Sequence, residues 1–290
     1  MRMKTTLKIL LAGALALTLG TASAADKTIR IGWTAWSDAE FVTKLATRIL
    51  EDRMGYDVEL LQTDIAPQYQ GLASGSLDLM LMSWQPETHA DYLEKVGNNV
   101  ETLGILYTHA KLGWAVPNYI PQDELASIED LKKDSVRDEL DDTITGIDPG
   151  AGIMRLSQKA LEEYGLDDDY RLQISSGAGM TAALERAVRR DDWIVVTAWS
   201  PHWMFGAYDL RYLDDPKGAL GRYERVVALA RKGFYQDDID AASFISRMQI
   251  PIDDLQAAMY DAQQSSYEEA VTHYIQHNPK RIDYWVTGEI

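Results

Sequence analysis

Thr28-Ile-Arg-Ile-Gly-Trp33 is a short β-type run, and Ser37-Asp-Ala-Glu40 follows it with the spacing of a helix capping box. Phe41, Val42, Leu45, Ala46, Ile49 and Leu50 then recur at helical spacing, and Met54-Gly55 ends that helix. Residues 58–61 predict a second strand, 69–74 a short helix closing at Gly75, and 79–82 a third strand. A β-α-β-α-β opening predicts a parallel sheet covered by helices.

The alternation continues down the chain. Strand signals fall at 112–116, 143–147, 172–175, 193–198 and 225–230. Ser127-Ile-Glu-Asp130 caps a short helix, Ile153, Leu156, Ala160, Leu161 and Tyr164 mark one face of another, and 180–190 is a third. From Asp237 onward the signal is helical, with Pro251 and Ser266-x-x-Glu269 at helix starts. At 290 residues, two domains are the natural count. Two α/β units with a helical tail imply two lobes, with chain crossings near the strands at 112–116 and 225–230. Lobe one is then 27–113 plus 232–290, and lobe two is 114–231. A cleft between such lobes is where a small ligand binds.

Residues 1–24 read as a cleavable signal peptide: Arg2, Lys4 and Lys8, then an apolar run from Ile9 to Leu19, then Ala22-Ser23-Ala24. The run is too short to span a bilayer, which takes about 20 apolar residues. Cysteine is absent, which excludes disulfides, a thiolate nucleophile, a Cys-zinc site and a lipid-anchor cysteine. A soluble periplasmic protein is expected. Lys plus Arg number 28 against 45 Asp plus Glu, a formal charge of −17, which becomes −20 once the signal's three basic residues are removed. Nucleic acid is not a partner for such a surface.

Eight tryptophans against four phenylalanines is the compositional oddity. Three Trp-bearing segments stand at carboxyl ends of expected strands, where open α/β sheets bind ligands. They are Gly32-Trp-Thr-Ala-Trp-Ser-Asp38, Ser83-Trp-Gln-Pro-Glu-Thr-His89 and Thr197-Ala-Trp-Ser-Pro-His-Trp203. Indoles facing one point attract a quaternary ammonium, which donates no hydrogen bond and carries its charge on methyl groups. Each contact is worth about 0.5–2 kcal/mol. Trp114, Trp193 and Trp285 are read as core, and Trp203 as a wall of its own lobe. Asp148-Pro-Gly-Ala-Gly-Ile153 precedes a helix, whose N-terminal N–H groups favour an anion. A phosphate loop's Gly-Lys-Ser/Thr is missing, so a nucleotide is not expected. His89 is a possible donor to a carboxylate. A cation site and an anion site together describe a zwitterion.

At these residues the chain resembles the substrate-binding proteins of glycine betaine/proline betaine ABC importers of the OpuA type. The strings that carry the resemblance are Gly146-Ile-Asp-Pro-Gly-Ala-Gly-Ile-Met154, Thr197-Ala-Trp-Ser-Pro-His-Trp-Met-Phe205, Tyr212-Leu-Asp-Asp-Pro-Lys217, Arg231-Lys-Gly-Phe234 and Trp84-Gln-Pro-Glu-Thr-His89. The resemblance implies a two-lobed type II periplasmic-binding fold with a central cleft and two hinge crossings. It implies Trp36, Trp84 and Trp199 around a trimethylammonium, with Trp33 a further candidate. It implies a ligand carboxylate at the N–H groups of Gly152 and Ile153 and at His89. It implies a monomer that delivers an osmoprotectant to a permease and its ATPase, with no cofactor, metal or catalytic residue. The alternatives are choline, carnitine or dimethylsulfoniopropionate. Choline is disfavoured, because the acid that its binders place nearby matches Ala35. A secreted hydrolase using His89 or His202 is a weaker reading, since neither Gly-x-Ser-x-Gly nor His-Glu-x-x-His occurs.

Overall fold

The computed structural model describes residues 28–290, so the signal peptide expected over 1–24 lies outside the described residues. The first half runs β1 (Thr28–Trp33), α1 (Ser37–Met54), β2 (Asp57–Gln62), α2 (Ile65–Ser74), β3 (Leu79–Gln85), α3 (Ala90–Val96) and β4 (Val100–Pro117). Next come α4 (Asp134–Leu140), β5 (Thr143–Thr145), α5 (Gly152–Tyr164), β6 (Arg171–Gln173), α6 (Gly177–Val188), β7 (Val196–Ser200), α7 (Met204–Ala207), β8 (Leu210–Tyr212) and β9 (Glu224–Arg231). The tail is helical: α8 (Phe234–Asp237), α9 (Ile239–Arg247), α10 (Ile252–Gln264), α11 (Tyr267–His277) and α12 (Pro279–Thr287).

The strands pair in the order β2-β1-β3-β9-β4-β7-β5-β6, with β8 beside β4. Both α/β units are parallel where expected: β1 with β2 and β3, β5 with β6 and β7. The sheet as a whole is mixed, because β9 runs antiparallel to β3 and β4, and β4 antiparallel to β7. Hydrophobic runs of the 226–230 kind show burial on both faces but not direction, so the sequence carries no sign that β9 runs antiparallel.

β4 is the structural surprise. Only 112–116 was expected, yet the strand starts at Val100. Its first half pairs with β9 through three register shifts, between Thr102 and Gly104, Ile105 and Tyr107, and Thr108 and Ala110. Each bulge breaks the two-residue alternation that marks a strand in sequence. Pairing with β9 ends at Ala110, and pairing with β7 begins at Lys111. One strand thus belongs to both sheets. His109, just before that switch, has a left-handed φ of 61°. β9 pairs with β3 and the first half of β4, so strand pairing groups it with the first sheet. The border expected at 231/232 had grouped it with the second lobe, because an apolar run does not say which sheet it joins.

The core follows the helical spacing. Phe41, Val42, Leu45, Ala46, Ile49 and Leu50 of α1 are all fully buried, and the five larger than alanine each contribute about 1.5–3 kcal/mol of apolar burial. Gly55 ends α1 and Gly75 ends α2, each in the left-handed conformation. The capping box expected at Ser37 does not form. The cap position is Trp36, and the Ser37 hydroxyl is buried without a partner. The box at Ser127 does form, with Asp130 as its return partner. The Ser266 hydroxyl caps α11 by accepting from Glu269 N–H. Helices α10, α11 and α12 pack on α1, which seats the tail on the first lobe. Trp114 and Trp285 are core, as expected: the Trp114 indole donates to Ser157 Oγ at 2.8 Å, and Trp285 stacks on Tyr274. Among the described residues no helix is long and apolar enough to cross a membrane.

Candidate functional site

Six of the seven residues singled out in the sequence line one cavity: Trp36, Trp84, His89, Gly152, Ile153 and Trp199. Thr88, Leu112, Ile147 and Ala151 complete its wall. Trp33 is not in the wall. It is the half-buried last residue of β1, paired with Gln62.

The wall is drawn from both lobes. Trp36 is the cap residue before α1, Trp84 is the second-last residue of β3, and both stand in the unit built on the first sheet. Trp199 lies in β7, and Gly152 and Ile153 open α5, on the second sheet. The rings of Trp36 and Trp199 stand 6.5 Å apart, tilted by 59°. All three indole N–H groups are occupied: Trp36 Nε1 donates to Asp148 Oδ2 at 3.1 Å, Trp199 Nε1 to Asp38 Oδ1 at 3.0 Å, and Trp84 Nε1 to Met82 Sδ at 3.1 Å. With these donors engaged, the indoles offer the cavity π-faces and ring edges. Such a surface suits methyl groups carrying positive charge better than a group that needs to accept hydrogen bonds.

The rest of the wall includes a helix start. Gly152 and Ile153 are the first residues of a 13-residue helix whose cap residue, Ala151, supplies no side-chain bond. First-turn N–H groups have no partner within their own helix, and the helix dipole favours an anion there. His89 is buried, and its Nδ1 accepts the Trp84 backbone N–H at 3.1 Å. Burial, with the Arg155 charge in second place, pushes its pKa down to about 3. The ring is therefore neutral near pH 7, and with Nδ1 as acceptor its proton sits on Nε2.

Four residues without an assigned role in the sequence organise the wall. Asp38, fully buried in the first turn of α1, takes Tyr107 Oη at 2.6 Å as well as the Trp199 indole. Burial raises its pKa, while the Tyr107 and Trp199 hydrogen bonds work against that rise. Tyr107 is itself pushed well above the usual phenol value by burial and then by the Asp38 charge. Glu224, at the start of β9, accepts the backbone N–H groups of Glu87 and Thr88 at 3.1 and 3.2 Å and the Thr88 hydroxyl. It pins the turn that joins Trp84 to His89. Asp38 stands within the first Trp-bearing segment, but its partner Trp199 is 161 positions away, and no local spacing signals that pairing. Arg155, on α5, reaches across to the carbonyls of Glu87 and Thr88 and to the Asp91 carboxylate.

Comparison with known proteins agrees with this architecture. A curated relative, the glycine betaine/carnitine transport binding protein GbuC of Listeria monocytogenes, is 40% identical over 161 residues, covering 55% of this chain and 53% of the relative. The match thus spans about half the relative's length. The crystal structure of lactococcal OpuAC, closed and complexed with glycine betaine, is 36% identical, covers 90% of this chain and 100% of that one, and superposes with a TM-score of 0.82. The glycine betaine, L-proline-binding protein ProX of Borrelia burgdorferi is 32% identical, covers 90% and 97%, and gives 0.83. These neighbours are two-lobed binding proteins, the fold expected from the sequence. The family model for the substrate-binding domain of ABC-type glycine betaine transport systems matches residues 27–277, so the chain belongs to that family of transport substrate-binding domains rather than to an enzyme family.

Proposed function

We propose that this chain captures glycine betaine, and proline betaine as a close analogue, in the cavity between its lobes. The trimethylammonium lies against Trp36, Trp84 and Trp199. The carboxylate meets the N–H groups of Gly152 and Ile153 and the Nε2–H of His89. The observation that carries this reading is that three indoles with occupied N–H groups and a helix N-terminus share one small cavity. Contacts from both lobes favour the closed form by differential affinity.

The same reading places the mature chain in the periplasm after removal of residues 1–24. There it acts as a monomer and hands its ligand to a permease driven by an ATPase. Its lobes follow the division 27–113 plus 232–290 and 114–231, with β9 moved to the first by its pairing with β3 and β4, and the crossings lie in β4 and in the chain just before β9.

Calorimetric titration with glycine betaine, proline betaine, carnitine and choline tests the ligand. The expected outcome is tightest binding of glycine betaine or proline betaine. Choline lacks a carboxylate, and tighter choline binding would refute the role given to Gly152, Ile153 and His89.

A further inference from the structure

Two of the indole hydrogen bonds cross the cleft, and they do so in opposite directions. Trp36, carried by the first lobe, donates to Asp148, in the turn between β5 and α5 of the second. Trp199, carried by β7 of the second lobe, donates to Asp38, in α1 of the first. Each lobe therefore holds, through one carboxylate, a cavity tryptophan carried by the other. Trp84 differs, because its indole is tied to Met82 within its own strand.

We propose that Asp38 and Asp148 are positioning residues that form a reciprocal latch, completing the cage only when the lobes are closed and setting the rate of ligand release. This rests on the Trp-cage reading above. Opening separates Trp36 from Asp148 and Trp199 from Asp38, so both indoles lose their acceptors and the freedom to rotate returns. Asp38 keeps Tyr107, from its own lobe, when Trp199 leaves, so the first lobe presents a preset acceptor to the returning indole. A charged acceptor also makes a stronger hydrogen bond than a neutral one. It lies at the N–H edge of each of the two rings that would face the ammonium. Because the bonds form only after both lobes have met, their loss acts on dissociation more than on association.

The test is stopped-flow tryptophan fluorescence with glycine betaine, with small-angle scattering of the free and saturated protein. Asp148→Ala is the primary variant, since Asp148 is half-buried and in a surface turn. Asp148→Asn keeps an acceptor without the charge, and Trp84→Ala removes a cage ring that takes no part in the latch. The expected result for Asp148→Ala is at least a tenfold faster release, association within about twofold of wild type, and an unchanged unfolding midpoint. Asp148→Asn recovers part of that loss. Trp84→Ala weakens affinity at least tenfold yet still compacts fully at saturation. Wild-type release from Asp148→Ala, alongside weakened binding by Trp84→Ala, overturns the latch and leaves the cage standing. Wild-type affinity of Trp84→Ala overturns the cage reading and the latch with it. Asp38→Asn, read the same way, must also accelerate release; unaltered release there removes Asp38 from the latch.

Discussion

Replacing Gly152 by alanine should block closure without touching the hydrogen-bonding groups of the site. A Cβ on Gly152 would stand 2.4 Å from Thr88 Cγ2 and 2.5 Å from the Thr88 carbonyl oxygen, where ordinary contact begins near 3.4 Å. The two lobes meet at this point, and the shortfall is about 1 Å. Thr88 has little freedom to retreat, because Glu224 takes its N–H and its hydroxyl while Arg155 donates to its carbonyl at 3.2 Å. The second lobe must therefore stand off, stretching the Trp36–Asp148 bond from 3.1 Å and the Trp199–Asp38 bond from 3.0 Å. Overpacking of this size costs about 1–3 kcal/mol, a roughly 5- to 150-fold loss of affinity. Alanine keeps the backbone N–H, so the loss is steric. The cost also falls on binding rather than folding, since an open cleft separates the two residues. Calorimetry with glycine betaine measures the first effect, and urea unfolding of the free protein should show none. Wild-type affinity in Gly152→Ala would mean that Gly152 and Thr88 do not approach in the bound state.

Three further outcomes are expected. Trp199→Ala should weaken glycine betaine binding at least tenfold by calorimetry, losing a ring of the cage and its cross-lobe bond together; an affinity near wild type would take Trp199 out of the site. Glu224→Ala strands the buried N–H group of Thr88 and removes the acceptor of Glu87 N–H, and should lower stability to urea by about 1–3 kcal/mol, whereas an unchanged midpoint would show that the turn holds itself. His89 and His202 are both buried with pKa values pushed down to about 3, in each case chiefly by burial. An unfolded histidine, with its pKa near 6.5, binds a proton that the folded one refuses. Their contribution is therefore whole above about pH 6.5 and is lost as pH falls toward 3, by about 1.4 kcal/mol per ring at pH 5.5. The raised pKa of Asp38 opposes this loss as pH falls. His202→Gln should accordingly shrink the drop in unfolding free energy between pH 7.5 and 5.5, and an equal drop in both proteins would refute the assignment for His202.

The parts of the fold that were legible in the sequence are those written locally. The α1 stripe from Phe41 to Leu50, the glycine stops at Gly55 and Gly75, and the Ser127 and Ser266 caps all rest on neighbours within a turn or two. The front half of β4 was not legible, because its bulges scramble the alternation and its burial comes from β9 and the tail helices. Ser37 misled for a related reason: capping spacing is present, but the cavity wall places Trp36 at the cap. The site divides in the same way. Tryptophan enrichment and a glycine-rich helix start pointed to the wall residues. Asp38 and Glu224 look like ordinary acids of an acidic chain until partners 161 and 136 positions away come into contact with them.

The pairing of β3 with β9 has a consequence for how the chain is made. Leu79 lies beside Ala230, so the edge of β3 away from β1 must wait for roughly 150 more residues before its partner exists; at about 5–20 residues per second that is roughly 8–30 s of synthesis. Until then Leu79-Met-Leu-Met-Ser-Trp84, buried throughout in the finished fold, has an exposed edge suited to sticking to other chains. The leading third of the chain is thus obliged to its own later portion. A nascent chain that collapses early risks aggregation, whereas one held extended until β9 has been made does not. Truncation before Glu224 should turn a well-behaved protein into an insoluble one, even though the whole of β1 to β3 remains.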